Sequence, residues 1–447
     1  MIPARLRTAC LLAFAFALAA CGGDEARPGV PPRHVLLITI EGLRADHVTS
    51  LGYERRTTTL LRPDQPVTLD IGHIATGGVM FARAFAPAAH PGLAVATLLT
   101  GELPTEGGRP LLAGPLGPGQ TLAEDFSAAG FRTGAFVNAS SLDASRASAE
   151  GIGRGFGEAS FHASDEGALA AAVAWLQADI PAGEPHFTWL HLGAIQPPFE
   201  GPPFQDRFSP TDYSGPVQPE AAFFERLAAG ELELGPADER ALADLYDGRV
   251  VRTTELLNSF FYLYKNSFGD EALWDDTLIA VAGATGCGLA EAGGRIGDVD
   301  SLRDEGLHVP IFLRHTKSLT AERIYAEVVT LADLGVTLRD WFGTPGLEAS
   351  RGRSLLGLTD RGRAEPFQER GALAVSSDGA GVSLRTPEWR LVARGGAVSV
   401  YDLVADPLQL HDVGDEVPEA RAALLAELDQ RLADAGLAPR SQPARTP

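Results

Sequence analysis

The sequence predicts an α/β protein with a mainly parallel central sheet flanked by helices and a small α+β subdomain at its C-terminal end. Continuous apolar, β-rich runs recur along the chain, beginning with HVLLITI at 34–40, and such runs are typical of strands buried on both faces of a parallel sheet. Helical patterns lie between these runs, which indicates strand–helix–strand units. After about residue 345 the pattern changes to short alternating strands and one helix.

Composition limits the classes of function. The chain has 447 residues, of which 45% are hydrophobic, so it can form a sizeable core in one large or two unequal domains. Its formal net charge of −21 excludes a basic surface that could neutralise phosphates, and we expect no nucleic-acid partner.

The first 20 residues have the pattern of a lipoprotein signal peptide. Arg5 and Arg7 precede a short apolar run at 11–20, which is too short to span a bilayer. The run ends in LAAC, which resembles a bacterial lipobox, so we expect removal of residues 1–20 and lipidation, including palmitate, at Cys21. Processing would leave Cys287 as the only free thiol, and a disulfide framework is therefore not expected.

This anchor predicts the location of the mature protein. Gly22, rather than Asp, follows the lipidated cysteine, which favours the outer membrane, facing the periplasm or the cell surface. Residues 21–32, rich in Gly and Pro, are expected to form a flexible tether.

The main domain is expected over residues 33–345. Its strands are predicted at 34–40, 131–137, 186–192, 277–283 and 308–314. Its helices are predicted at 93–100, 122–129, 165–180, 237–266 and 320–341. In such sheets, ligands bind beyond the carboxyl ends of the strands.

The C-terminal subdomain is expected over residues 346–437. Two antiparallel strands in 382–404 would turn at Gly395-Gly396, and a helix at 417–435 would follow Pro418 at its start. Residues 438–447 are expected to form a disordered tail.

Several segments, in the correct order, resemble the sulfatase family of the alkaline phosphatase superfamily. They are HVLLITIEGLRADH at the opening strand, PAAHPGLAVATLLTG at the nucleophile loop, LYDGRVVRTTELL in a long helix, DDTLIAVAGATGCGL near the metal site, and EWRLVARGGAVSVYDLVADP at the closing strands. The resemblance implies the family's fold and, in an ordinary member, hydrolysis of sulfate esters.

The resemblance also implies a nucleophile that this chain lacks. In the family, Cys, Ser or Thr begins a signature that ends in Leu-Leu-Thr-Gly, and the nucleophile can be converted to formylglycine. Alignment on Leu98-Leu99-Thr100-Gly101 puts Pro91 at the nucleophile and Val95 at the following basic residue. Proline has no oxygen or sulfur with which to attack an ester.

The metal positions depart from the family in the same way. The family uses calcium or another divalent metal, which requires several oxygen ligands. Here the matching positions hold Glu41, Ala284 and Thr285, so only one carboxylate remains. We expect no metal cofactor, and we expect Glu41 to cap a loop or pair with an arginine.

The substrate-contacting positions are changed as well. Histidines of the family's pattern match Gln196, Ala292 and Asp298 in this chain, and a desolvated Asp298 would repel a sulfate. With Val95, these residues mark a former substrate pocket.

Two residues offer alternative catalytic groups. His90 precedes Pro91 and could act as a base or nucleophile, although a His that caps the turn before the helix is the favoured interpretation. Cys287 could be a thiol nucleophile, although a buried thiol is the simpler interpretation.

These patterns predict a catalytically inactive, lipid-anchored sulfatase-like protein of the bacterial envelope. Its membrane association would come from the lipid, and its partner would be an unidentified envelope ligand or protein. The alternative is a sulfuric or phosphoric ester hydrolase with a reorganised, non-formylglycine site. A third hypothesis is a structural domain in a multiprotein envelope assembly.

Overall fold

The structure is a computed structural model. It describes residues 31–62, 67–106, 109–117, 119–178, 183–199, 207–209, 212–266, 272–291, 296–297, 301–344, 352–359 and 367–440. The predicted signal peptide at 1–20, the lipidation site Cys21, most of the tether and residues 441–447 lie outside these residues. Among the described residues, none of the helices combines the length and the apolar character that crossing a bilayer requires.

The secondary structure alternates along most of the chain. The helices are α1 (Ile71–Thr76), α2 (Pro91–Thr100), α3 (Leu122–Ala128), α4 (Asp165–Ala178), α5 (Ala221–Ala228), α6 (Pro236–Asn266), α7 (Leu273–Asp276), α8 (Asp304–Leu307), α9 (Leu331–Trp341), α10 (Leu356–Thr359) and α11 (Pro418–Asp434). The strands are β1 (His34–Ile40), β2 (Val79–Phe85), β3 (Thr105–Glu106), β4 (Arg109–Pro110), β5 (Arg132–Asn138), β6 (Glu158–His162), β7 (His186–Leu192), β8 (Thr277–Gly283), β9 (Gly288–Leu289), β10 (Ile296–Gly297), β11 (His308–Arg314), β12 (Arg323–Thr330), β13 (Ala372–Val375), β14 (Gly381–Arg385), β15 (Trp389–Arg394) and β16 (Ala397–Asp402).

A large central sheet has the strand order β12-β2-β11-β8-β1-β7-β5-β6 in the described part of the chain. Strand β1 lies at its centre and pairs in parallel with β7 and β8. Strand β11 alone runs against its neighbours β2 and β8. The predicted, mainly parallel α/β sheet is therefore confirmed.

The long apolar runs predicted the central strands well. The strands at 34–40, 186–192, 277–283 and 308–314 have the predicted bounds, and β5 is shifted by one residue from 131–137. These runs are recognisable because both faces of each strand are covered and apolar residues fill every position.

The helix predicted at 320–341 is wrong in its first half. Residues Arg323–Thr330 form β12, which pairs in parallel with β2 at the edge of the sheet. The helix α9 begins only at Leu331, because Thr330 and Asp333 form a reciprocal capping box. The β-branched residues before Thr330 favour the strand.

Two apolar layers cover the sheet. Val35 and Leu37 of β1 point into a core that contains residues of α2, α3 and α9. The alternating residues Leu36, Ile38 and Ile40 point into a second core built with α4 and α6. The period of two along β1 therefore joins helices on opposite faces.

The C-terminal part forms an antiparallel sheet, β13-β14-β15-β16, covered by α11. Its core includes Leu428 and Leu432 of α11, and it also includes Leu93 of α2. The subdomain is thus packed directly against α2 of the main domain.

A buried histidine pair lies at the amino-terminal ends of β1 and β7. His34 Nδ1 is 2.9 Å from His186 Nδ1, and His186 Nε2 is 2.9 Å from the hydroxyl of Tyr264. Tyr264 in turn lies 3.0 Å from Thr277 Oγ1. Burial and the neighbouring His34 hold the pKa of His186 well below its usual value, so His186 is neutral in the folded protein.

The histidine pair predicts an acid-sensitive fold. Below about pH 6.5 the unfolded chain takes up a proton at position 186 that the folded chain refuses, so the free energy of unfolding falls as the pH drops. We expect His186→Gln to reduce this pH slope by up to about 1.4 kcal/mol per pH unit. Urea unfolding between about pH 4.5 and 7 measures the slope.

The matched control is His411→Gln, because the His411 side chain is 80% exposed. This variant should keep the slope of the unmodified protein. Equal slopes in both variants would show that His186 is not the group responsible.

Candidate functional site

The candidate site lies where β1, β7 and β8 end together. Glu41 N donates to Leu192 O at 2.9 Å, and Ala284 N donates to Ile40 O at 2.8 Å. The residues that directly follow these three strands therefore share one edge of the sheet, where ligands bind in proteins of this architecture.

Glu41 is fully buried at this edge and both of its carboxylate oxygens have partners. Oε1 lies 2.7 Å from His191 Nε2, and Oε2 accepts a hydrogen bond of 2.5 Å from Ser141 Oγ. The other ring nitrogen of His191, Nδ1, lies 2.8 Å from Thr39 Oγ1. Trp189 Nε1 donates to the same hydroxyl at 3.0 Å. A buried carboxylate with this set of partners is satisfied within the protein.

The partner of Glu41 differs from the expected arginine. Among the described residues, its carboxylate contacts His191, which is paired with Thr39 in the parallel register of β1 and β7. Side chains of adjacent parallel strands lie close together. The sequence analysis did not predict this contact, because the two residues are 150 positions apart in the sequence.

The residue after Glu41 leaves no space for a second carboxylate. Gly42 has a φ of +75°, and a Cβ atom added to it would lie 2.1 Å from the backbone oxygen of Ile195. Tyr246 fixes this turn, since its hydroxyl donates to Gly42 O at 2.6 Å and accepts from Arg44 N at 3.0 Å.

The end of β8 offers few ligands either. Ala284 and Thr285 are both buried, and Thr285 Oγ1 has no hydrogen-bond partner within the described chain. No group of three or more His, Cys, Asp or Glu residues in the described ranges could hold a metal ion.

These donors do not fit a calcium-type cation. Such an ion takes six to eight oxygen ligands, mainly carboxylates and carbonyls. Glu41 uses both oxygens in contacts with His191 and Ser141, and Gly42 and Ala284 provide no side-chain donor. The only other side-chain oxygen at these positions is the hydroxyl of Thr285.

Pro91 begins helix α2 at the position aligned with the family's nucleophile. Proline suits the first helical residue because its fixed φ matches a helix and its missing N–H would have no helical acceptor. His90 is the N-cap, and its carbonyl accepts from Leu93 N and Ala94 N at 3.1 and 3.0 Å. The predicted cap is therefore made by the backbone of His90, since its side chain makes no capping hydrogen bond.

A buried arginine that the sequence analysis did not single out lies beside this helix start. Arg146 is fully buried, and a Cβ atom added to Gly92 would lie 3.6 Å from its Cγ. Its guanidinium donates to the carbonyls of Leu111 and Leu112, and no described carboxylate forms an ion pair with it. Burial lowers its pKa, and Asp143 only partly opposes this effect.

One feature of the sequence points to Ser141 and Arg146 as residues at the site. Both belong to the polar segment SSLDASR that follows the buried strand β5, and residues after a parallel strand face the ligand edge of the sheet. No recognisable catalytic motif marks this segment.

The former substrate pocket is only partly described. Val95 is buried in the main core. Gln196 Nε2 lies 3.4 Å from Gly286 O, and its buried Oε1 lacks a hydrogen-bond partner among the described residues. Ala292 and Asp298 lie outside the described residues.

Cys287 lies in the apolar core on one face of the sheet. Its sulfur is 3.6 Å from Gly288 O. The next two histidines along the chain bond elsewhere, since His308 Nε2 contacts Ala82 O at 2.8 Å and His315 Nδ1 contacts Ser318 Oγ at 2.5 Å.

Charged side chains fix the loop after Glu41. Arg44 forms two hydrogen bonds with Asp46 at 2.9 and 2.7 Å, and it also pairs with Glu291 at 2.6 Å. Burial would raise the pKa of the Asp46 carboxyl, but Arg44 outweighs burial and holds it well below its usual range. His47 Nδ1 contacts Asp247 Oδ1 at 2.7 Å, which joins the loop to α6.

Comparison with known proteins relates this chain to a protein family. The family model described as Sulfatase matches residues 33–344. No curated protein matches the chain significantly.

Solved structures match over nearly the whole chain. The phosphonate monoester hydrolase of Agrobacterium radiobacter is 20% identical, with a TM-score of 0.67 over 91% of this chain and 96% of that one. The phosphonate monoester hydrolase of Silicibacter pomeroyi is 20% identical, with a TM-score of 0.65 over 90% and 94%. A 2-O GAG sulfatase is 16% identical, with a TM-score of 0.67 over 91% and 93%. At these identities the likeness establishes the fold.

The turn at Gly42 yields a test of the site's geometry. Gly42→Ala should destabilise the protein by about 1–3 kcal/mol more than Gly52→Ala, because the new methyl would collide with Ile195 O. Gly52 is a matched control, since its φ of +104° is also left-handed while nothing lies within 4 Å of an added Cβ. Chemical denaturation of both variants measures the difference, and equal losses would mean that the turn has room for a side chain.

Proposed function

The chain belongs to the sulfatase family, and from this premise we propose that it is a catalytically inactive, lipid-anchored member that binds an envelope ligand or protein. It would keep the family's fold and an altered cleft at the carboxyl ends of the central strands, and it would not hydrolyse esters.

One observation carries this proposal. Glu41, the carboxylate that remains at the metal positions, is fully buried and bonded through both oxygens to His191 and Ser141. Recruiting it to a cation would break these contacts and leave the buried Nε2 of His191 without this partner, which costs about 1–3 kcal/mol. The neighbouring positions Gly42 and Ala284 would not repay this cost with new ligands.

The start of α2 supports the same conclusion. An ester hydrolase of the nucleophilic type needs an activated nucleophile within reach of a base. Pro91 has no nucleophilic atom, and its ring instead stabilises the first turn of the helix. Val95, four residues later, packs in the core rather than presenting a charge to a substrate.

Ser141 is the residue that could supply a nucleophile if the site were reorganised for catalysis. Its hydroxyl donates to Glu41, which could accept its proton. A carboxylate is a weak base towards a serine hydroxyl at neutral pH, and His fills this role most often. We therefore assign this contact to positioning of the strand ends, and the experiment below includes Ser141.

The test uses the soluble form that lacks residues 1–21. We expect no release of 4-nitrophenol from 4-nitrophenyl sulfate or 4-nitrophenyl phenylphosphonate above the buffer rate. Bound Ca, Mg, Mn and Zn, measured by mass spectrometry, should remain well below one ion per chain. The Agrobacterium radiobacter hydrolase serves as the positive control for the phosphonate assay.

Variants decide what any measured turnover means. Hydrolysis that disappears in Ser141→Ala or Glu41→Gln, with circular dichroism unchanged, would overturn the proposal. Hydrolysis that survives in both variants and varies between preparations would indicate a contaminating enzyme. A stoichiometric metal that is lost in Glu41→Gln would also overturn it.

The lipid anchor is tested separately on the full chain. Expressed in a bacterium with radiolabelled palmitate, the unmodified protein should incorporate label and fractionate with the outer membrane. Cys21→Ser should incorporate none, whereas Cys10→Ser should lose its label only if the lipobox assignment is wrong.

A further inference from the structure

A second pocket lies away from the ends of β1 and β8, between the main domain and the C-terminal subdomain. Thr97 of α2 and Thr330 of β12 line it from one side, and Arg370 and Arg431 line it from the other. Its volume of about 80 Å³ leaves room for a few water molecules or a small organic acid. Pockets between domains are common ligand sites.

Three arginines converge on this pocket, and two of them have carboxylate partners. Arg353 Nη2 lies 3.2 Å from Asp333 Oδ2. Arg431 Nη2 lies 3.9 Å from Glu427 Oε1.

Arg370 differs from the other two. No described carboxylate lies within ion-pair distance of it, although Asp333 and Asp434 act on it at longer range. Burial, together with repulsion from Arg431 and Arg353, lowers the pKa of Arg370 to about 10. A bound anion would relieve this repulsion.

The remaining walls define the class of ligand. Leu103, Leu373 and Ala435 give the pocket an apolar side. Asp434 also lines it, and its charge would repel a second negative charge on the ligand. The planar fork of an arginine matches a carboxylate, which it can bind through two parallel hydrogen bonds.

We propose that this pocket binds a small monocarboxylic acid, with the carboxylate on Arg370 and a short hydrocarbon part against Leu103 and Leu373. The ligand would join β13 and α11 of the subdomain to α2 and β12 of the main domain. This site is independent of the cleft at Glu41, so a failure of one proposal would not affect the other.

The test is ligand-dependent thermal stability and calorimetry on the form that lacks residues 1–21. Butanoate and benzoate should raise the melting temperature in a saturable way and bind with one site per chain. Butanamide and benzamide, which have the same shape without the charge, should bind at least about tenfold more weakly. Sulfate and phosphate should produce no saturable rise at matched ionic strength.

Arg370→Gln should weaken butanoate binding at least about tenfold. Arg394→Gln is the matched control, because Arg394 pairs with Asp378 on the surface hairpin of the same subdomain and should leave binding unchanged. Ala435→Leu fills the pocket without removing a charge and should also abolish binding, which covers the case in which Arg370→Gln fails to fold.

The proposal would be overturned by the absence of carboxylate binding up to about 10 mM, by equal binding of acids and amides, or by unchanged binding in both Arg370→Gln and Ala435→Leu. Equal responses to butanoate, sulfate and phosphate would likewise reject a carboxylate site in favour of general anion binding.

Discussion

The buried contact between Glu41 and His191 is the constraint on which the candidate site depends. An ionisable carboxyl inside a protein is tolerated only when hydrogen bonds replace the water that it loses, and removing one partner of a buried pair typically costs about 3–5 kcal/mol. His191 from β7 and Ser141 after β5 meet this requirement for Glu41 at the end of β1. The contact joins three segments of the sheet edge. It also occupies Glu41, the one carboxylate that remains at the metal positions.

Helix α2, at the position of the family's nucleophile loop, packs in two hydrophobic cores of this protein. Its first residue, Pro91, favours helix initiation, and Leu93 packs in the core of the C-terminal subdomain. Val95, on another side of the helix, packs in the main core. The helix that carries the family's nucleophile signature therefore connects two cores here, and a polar substitution at Val95 would meet an apolar environment. The arginine-lined pocket lies farther along this helix, at Thr97, where polar groups from both domains meet.

Much of the fold could be predicted from the sequence, and particular residues show where the prediction ended. Runs such as HVLLITI and HFTWLHL identified central strands because both faces of a buried strand require apolar side chains. The edge strand β12 was not predicted, because Arg323 and Glu327 interrupt its apolar residues and α9 follows without a break. The departures of Pro91, Ala284 and Thr285 from the family's motifs could be read directly, since each depends on which atoms a residue has.

The α/β class, the family and the loss of the nucleophile and of most metal ligands at the matching positions follow from residue type and order alone. The contacts of the remaining residues depend on the tertiary structure. Glu41 met His191 instead of an arginine because parallel pairing of β1 and β7 brings together residues 150 positions apart. Arg353, Arg370 and Arg431 came to share one pocket because β13 and α11 pack against the main domain. Such proximity depends on how the chain folds back on itself, and no local pattern encodes it.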